Sequence, residues 1–276
     1  MTPSSPLLVS RQGGIVTLQF NRPEAMNALD VPTANTLLAA TKDIAADASV
    51  RAVLLKGSGK AFVAGGDLAT LQKDPVQGAN DLLLPLNQVL TLLQGINAPV
   101  IAQVHGAAAG AGLSLMLMCD FVLAAEGTKF NLAYIKLGTS CDVGASWALP
   151  RIVGLRHALE IALLGDTYNT DDALRLGLVN RVLPAAELEA AAQAFAERIA
   201  NGPTVAYGHM RRLMRASLDR DLPEQLAAEA QSFNACAQTA DIREGIDAFF
   251  AKRAPVFTGQ QTPTIPDPIG ARHVPS

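Results

Sequence analysis

Over the first two thirds of the chain, short apolar runs alternate with stretches in which apolar residues recur every three or four positions. Ile15 to Phe20 (IVTLQF) alternates in and out after the Gly13-Gly14 turn, which predicts a strand. Val53 to Leu55 reads as a short buried strand, and Val100 to Val104 and Phe121 to Ala125 complete the strong strands. Asp30 and Pro32 open a predicted helix with Leu37, Leu38, Ile44 and Ala45 on one face. Leu82, Leu86, Val89, Leu90 and Leu93 predict another helix, in which Pro85 is tolerable near the first turn or as a kink. Gln72 to Asn80, with Pro75 and Gly78, is expected to form a mobile loop over a site.

Further on, a short helix capped by Thr170, with Asp171 and Asp172 in its first turn, is expected to end near Gly177. A strand over Leu178 to Leu183 follows. Beyond Pro184 the pattern is helical only: Leu188, Ala192, Phe195 and Ile199 share one face, and further helices are expected over about 204–218, 223–238 and 240–252. From Ala254 to Ser276 prolines are frequent and periodicity is weak, which reads as an extended or disordered tail. The expected organisation is a core over 1–184, a helical region over 185–253 and the tail over 254–276.

Composition narrows this picture. At 276 residues the chain suits one large α/β domain, or one domain with a helical appendage, and 49% hydrophobic content supplies a sizeable core. A net charge of -3 leaves no basic stripe for nucleic acid, although a few local groups and backbone amides suffice for a polyanionic cofactor. Cys119, Cys141 and Cys236 are sparse and lack metal-ligand spacing, as expected in a reducing compartment. No apolar run is long enough to span a bilayer, MTPSSPLLVS is not a leader pattern, and the end at Ala271 to Ser276 is not a peroxisomal address. A cytoplasmic protein that binds neither membrane nor nucleic acid is the expectation.

Candidate chemistry gathers at two strand–loop–helix junctions. One is Ala61-Phe62-Val63-Ala64-Gly65-Gly66-Asp67-Leu68, and the other runs from Val104 through Gly110-Ala111-Gly112 to Ser114. Small side chains let a ligand approach the backbone, and a helix's first turn offers unpaired N–H donors. Facing one point, two such junctions make an oxyanion hole; taken singly, each reads better as an ordinary tight turn.

The ordered set NRPEAMNALD (21–30), AFVAGGDL (61–68), PVIAQVHGAAAGAGLSLMLMCD (99–120), KLGTSCDVGASWALPRIVG (136–154), GLVNRVLP (177–184) and EGIDAFFAKRAPVFTG (244–259) resembles the crotonase superfamily of enoyl-CoA hydratases and isomerases, over roughly residues 6–259. The resemblance implies an α/β fold, a crotonase-like spiral of ββα units with a C-terminal helical trimerisation region, as a homotrimer or dimer of trimers. It implies an acyl-CoA thioester substrate, with coenzyme A part of the substrate and no permanently bound cofactor or metal. Matched by position, the thioester oxygen falls to the amides of Ala64 and Ala111, the latter where glycine is common in the family. The coenzyme A clamp falls to Ala25, Met26 and Ala28, to Gly65, Gly66, Asp67 and Leu68, and at its nucleotide end to Phe250 and Lys252, although Lys252 with Arg253 is equally a solvated helix end. Leu137 falls among the substrate-contacting positions.

The same resemblance exposes a departure. Hydratases of this family use two glutamates, and the matching positions here carry Ser114 and Tyr134, neither a carboxylate base at neutral pH. One carboxylate remains near, Asp142, where hydratases usually carry glycine and isomerases of the phenylacetate-degradation branch carry aspartate. A single carboxylate moves a proton between carbons of an unsaturated acyl-CoA while the oxyanion hole holds the dienolate. The competing role for Asp142 is an N-cap of a helix starting near Val143. An enoyl-CoA isomerase is therefore expected, ahead of a hydratase with a non-standard site or a silent coenzyme A-binding paralogue. Tyr134 is equally a substrate donor or pocket wall, Cys141 reads as packed, and Ser114 with His105 lacks the GxSxG elbow of a hydrolase.

Overall fold

A computed structural model describes residues 5–259. Its strands are β1 (Leu7–Gln12), β2 (Ile15–Phe20), β3 (Ala52–Gly57), β4 (Val100–Val104), β5 (Ala107–Ala109), β6 (Phe121–Ala125), β7 (Lys129–Asn131), β8 (Thr167–Tyr168) and β9 (Arg181–Leu183). The helices of the core are α1 (Val31–Ala46), α2 (Leu68–Lys73), α3 (Pro75–Gly95), α4 (Ala111–Leu117), α5 (Ala145–Val153), α6 (Leu155–Leu164) and α7 (Thr170–Arg175). Beyond them lie α8 (Leu188–Ala200), α9 (Thr204–Ala216), α10 (Leu222–Ala237) and α11 (Ala240–Phe250). Single 3-10 turns occupy Pro23–Ala25 and Tyr134–Leu137.

The main sheet runs β1-β2-β3-β4-β6-β9, with β1 antiparallel to β2 and every later neighbour parallel. Its central strands are covered on both faces, which is why they read as continuous apolar runs. Alternate residues serve opposite layers: Val53, Leu55 and Val100 pack with Leu37, Leu86 and Val89 on one side. Leu54, Ile101 and Leu123 meet Leu188, Ala192 and Ile199 of α8 on the other. After β4 the chain turns at His105-Gly106 into the smaller sheet β5-β7-β8. That turn needs glycine, because Gly106 has φ +65° and a Cβ there would stand 1.8 Å from the Lys60 carbonyl oxygen. Strand, strand, helix recurs in β1-β2-α1, β4-β5-α4 and β6-β7-α5.

The region expected as a loop over 72–80 is almost wholly helical. Asp74 accepts from the amides of Val76 and Gln77, and Pro75 takes the first helical position, so the two together start α3 instead of breaking the chain. Likewise Asn169, not Thr170, caps α7, its side chain accepting from the Asp172 amide. The strand expected over Leu178 to Leu183 pairs only from Arg181, since the Leu178 and Val179 amides donate back to the Ala173 carbonyl at the end of α7.

Among the contacts that join the C-terminal helices to the core is a buried ionic cluster that anchors α9. The Asp120 carboxylate accepts from the Val100 amide and from Arg215, each at 2.7 Å, and Arg211 Nε lies 2.7 Å from its Oδ2. Arg211 also donates to the carbonyls of Leu93, Ile96 and Ala98, closing the C-terminal end of α3. Residues 254–259 form no helix or strand, but the amides of Val256, Thr258 and Gly259 are held by Glu244 and Asp241. The remainder of the expected tail lies outside the described residues. Among those residues no helix is long and apolar enough to cross a membrane.

Replacing Asp120 by Ala should strand two arginines and a backbone amide in the interior. The expected loss is about 3 kcal/mol of folding stability, read by urea denaturation at fixed protein concentration. A loss within experimental error would show that the cluster does not anchor the helices.

Candidate functional site

The two junctions are stitched to each other and to the loop after β2. Val63 forms an isolated parallel bridge with Ala108: its amide donates to the Ala107 carbonyl at 3.3 Å, and the Ala109 amide donates to the Val63 carbonyl at 3.0 Å. Gly66 bridges Leu29 in the same sense, with Leu29 N–H donating to Gly65 and Asp67 N–H to Leu29, both at 2.8 Å. Contact is so close that a Cβ at Gly112 would sit 2.1 Å from the Val63 carbonyl oxygen, so glycine is a steric requirement at that position.

This geometry corrects one expectation. The Ala64 N–H donates to the Met26 carbonyl at 3.1 Å and is committed within the chain. Two residues on, the bridge to Leu29 turns the Gly66 amide outward, and among the described residues it has no acceptor. Ala111 is the first residue of α4, so its amide also lacks an intrahelical acceptor. The amides left for a ligand oxygen are therefore those of Gly66 and Ala111. A Cβ at Gly66 would meet nothing within 4 Å, so the chain leaves open space there.

The loop carrying Ala25, Met26 and Ala28 is shaped by residues that pattern reading passed over. Met26 and Asn27 both adopt left-handed backbone, with φ of 49° and 59°. Asn27, 1% exposed, donates to the carbonyls of Ser58 and Ala61 at 2.8 Å each and accepts from the Arg22 amide. Arg22 bonds the Ala28 carbonyl at 2.6 Å and pairs with Asp67 at 2.9 Å and Asp30 at 3.3 Å. Burial works to raise the Asp67 pKa, but the Arg22 guanidinium and the Ala69 amide outweigh it and hold the carboxyl below its usual range. The sequence signal was three separated charges, Arg22, Asp30 and Asp67, whose pairing only the fold reveals. Met26 and Leu68 remain exposed beside this loop.

Ser114, Tyr134 and Asp142 come together. Ser114 is fully buried on α4, its Oγ 2.9 Å from the Tyr134 hydroxyl and 3.2 Å from the Gly110 carbonyl. Tyr134, on its 3-10 turn, donates a hydrogen bond to Asp142 Oδ1. The capping role for Asp142 is excluded: α5 begins at Ala145 with Gly144 as its N-cap and no side-chain cap bond. Val143 and Gly144 instead take φ of 50° and 79°, and a valine held there is a strained residue costing of the order of 1–3 kcal/mol. Burial pushes the Asp142 carboxyl above its usual value, with the Tyr134 hydrogen bond pulling the other way. Burial and the neighbouring carboxylate together push the Tyr134 phenol far up, so it stays protonated.

Leu137 ends the same 3-10 turn and is exposed. Phe250 lines an apolar hollow of about 510 Å³ with Phe249, Phe257 and Val205, and no junction residue lines it; Lys252 is exposed just past the end of α11, with left-handed backbone. Among the described residues no group of three His, Cys, Asp or Glu side chains is arranged to hold a metal.

A family model described as enoyl-CoA hydratase/isomerase matches residues 10–260. A Rhodobacter capsulatus protein named "Probable enoyl-CoA hydratase" is 38% identical over 250 residues, covering 90% of this chain and 95% of that one. The 1,2-epoxyphenylacetyl-CoA isomerase of Escherichia coli K12 is 36% identical over 251 residues, covering 90% and 96%. Among solved structures, an enoyl-CoA hydratase from Bacillus anthracis superposes with a TM-score of 0.88 at 30% identity, covering 92% of this chain and 100% of that one.

The contact between the junctions yields a direct test. Gly112→Ala forces a methyl group into the Val63 carbonyl and should cost about 2 kcal/mol, read as a lowered melting temperature. An unchanged melting temperature would mean that the junctions separate freely.

Proposed function

The chain belongs to the enoyl-CoA hydratase/isomerase family, and on that premise we propose that it is an enoyl-CoA isomerase that shuttles a proton through Asp142. Enzymes of this family act on acyl-CoA thioesters. The observation that carries the finer reading is a lone half-buried carboxylate, raised in pKa, beside a serine and a tyrosine where hydratases are expected to carry two glutamates. In this mechanism the amides of Gly66 and Ala111 donate to the thioester oxygen. Asp142 removes a proton from C2 or C4, the oxygen takes up the negative charge of the dienolate, and Asp142 returns the proton at the other end of the conjugated system. A raised pKa suits both halves, because the carboxylate gains basicity and the acid still releases its proton to carbon. Ala25, Met26, Ala28, Gly65, Asp67 and Leu68 are assigned to the coenzyme A clamp, with Phe250 and Lys252 at its nucleotide end.

The names of the relatives include hydratases as well as isomerases, so hydration is the competing outcome. Incubation with 2-enoyl- and 3-enoyl-CoA in heavy water, followed by mass spectrometry, separates the two. Isomerisation interconverts the double-bond positions without gaining the mass of water. Asp142→Asn should lower that turnover roughly a hundredfold or more while leaving fold and thioester affinity nearly intact, since asparagine keeps the size and loses the base. A fully active Asp142→Asn enzyme would overturn the shuttle.

We propose in addition that the chain assembles as a homotrimer or dimer of trimers. Met210, Met214, Leu218, Leu222, Leu226, Phe233, Phe249 and Phe250 are all exposed on the C-terminal helices or their connections, more apolar surface than a lone appendage sustains in water. Light scattering should return three or six times the 28.9 kDa chain mass, and a single-chain mass at micromolar concentration would refute assembly.

A further inference from the structure

We propose that Ser114 and Tyr134 act as a positioning relay that pins Asp142 Oδ1 and leaves Oδ2 as the oxygen that carries the substrate proton, an inference that rests on the isomerase reading above. The direction of the relay follows from counting protons. An ionised Asp142 has only acceptors, so the single Tyr134 proton is given to Oδ1. The Tyr134 oxygen then faces Ser114 Oγ at 2.9 Å with lone pairs, and it is the serine that supplies the proton between them. Were the Ser114 proton spent on the Gly110 carbonyl at 3.2 Å, two unprotonated oxygen faces would confront each other between buried side chains. The order is therefore Ser114 to Tyr134 to Asp142.

This order survives turnover. When Asp142 takes a proton on Oδ2, Oδ1 becomes a carbonyl oxygen and still accepts from Tyr134. No hydroxyl has to rotate between the two halves of the reaction, which is the condition for a preorganised base. Proton transfer to and from carbon thus runs through one oxygen held at one place. Ser114 lies three residues beyond Ala111 on α4, so the relay also ties the base to the helix whose first amide donates to the thioester oxygen. The strained Val143 keeps the loop turned so that Asp142 meets Tyr134. Tyr134 is the titratable side chain that acts on Asp142 from the turn at 134–137; from α4 the neighbour is the uncharged Ser114, and on its own loop Asp142 is flanked by Cys141. No Lys, Arg, His or second carboxylate acts on it among the described residues.

Two measurements on the full-length protein test the relay. Carbon-13 NMR of labelled aspartate, with Asp142→Asn identifying the resonance, follows the carboxyl titration without turnover. The pH profile of kcat/KM with 3-enoyl-CoA follows the same group through its acid limb, where activity is lost as Asp142 becomes protonated. Tyr134→Phe keeps the ring and removes the donor, so both readouts should move upward by roughly one to two pH units. Ser114→Ala should move them the same way by less. A carboxyl titration and acid limb left at wild-type values in both variants, with only the melting temperature lowered, would reduce the pair to packing and overturn the proposal. A titration that shifts as expected in a protein unable to isomerise any enoyl-CoA would keep the pinning of Oδ1 and overturn the proton-carrying role of Oδ2 together with the isomerase reading.

Discussion

Everything at the site depends on how closely two loops approach. The Val63 carbonyl occupies the place where a side chain on residue 112 would be, and the bridge from Val63 to Ala108 fixes the register of that contact. Because the backbones meet with nothing between them, the outward amides of Gly66 and Ala111 come from two rigid elements and not from two mobile loops. Donors held this way do not reorganise when charge appears on a substrate oxygen, which is where hydrogen bonds contribute most to lowering a barrier. The Arg22, Asn27 and Asp67 cluster extends the same rigidity to the loop assigned to the coenzyme A clamp.

Opposing forces meet at Asp142. Burial disfavours its charge, while the Tyr134 hydroxyl favours it, and the balance leaves a carboxyl raised above its solution value but still ionisable. A carboxylate fully exposed would be a weaker base, and one buried without a donor would ionise only at higher pH. The left-handed Val143 is part of the same arrangement: local strain is tolerated where burial of the valine and the closure of α5 hold it in place.

The C-terminal helices are joined to the core through polar groups as much as apolar ones. Arg211 and Arg215 converge on Asp120 at the start of β6, and Arg211 also closes the end of α3. The pairing fixes where the helices sit, and their outward faces, rich in methionine, leucine and phenylalanine, stay exposed in a single chain.

Much of this was legible in the chain itself. Buried strands such as Val100 to Val104 announce themselves because both their faces are apolar, and the α8 face of Leu188, Ala192 and Ile199 because one face is. The junction glycines were readable because they are a matter of residue type and order, whereas Ser114 and Tyr134 stood out only through the family resemblance, which implied glutamates at those positions. Sequence pattern failed where a local signal had two outcomes. Pro75 breaks a helix or starts one, and the side chain of Asp74 made it a start; Asp142 caps a helix or serves a site, and the turn at Val143 removed the cap. Which amide remains free was beyond sequence altogether, since Ala64 is excluded by a carbonyl thirty-eight positions earlier in the chain, and Gly66 is exposed by a bridge to Leu29. Composition and periodicity determine which faces are apolar and which residues carry chemistry; the donors and acceptors that those residues have left over are decided only when distant backbone is brought within hydrogen-bonding reach.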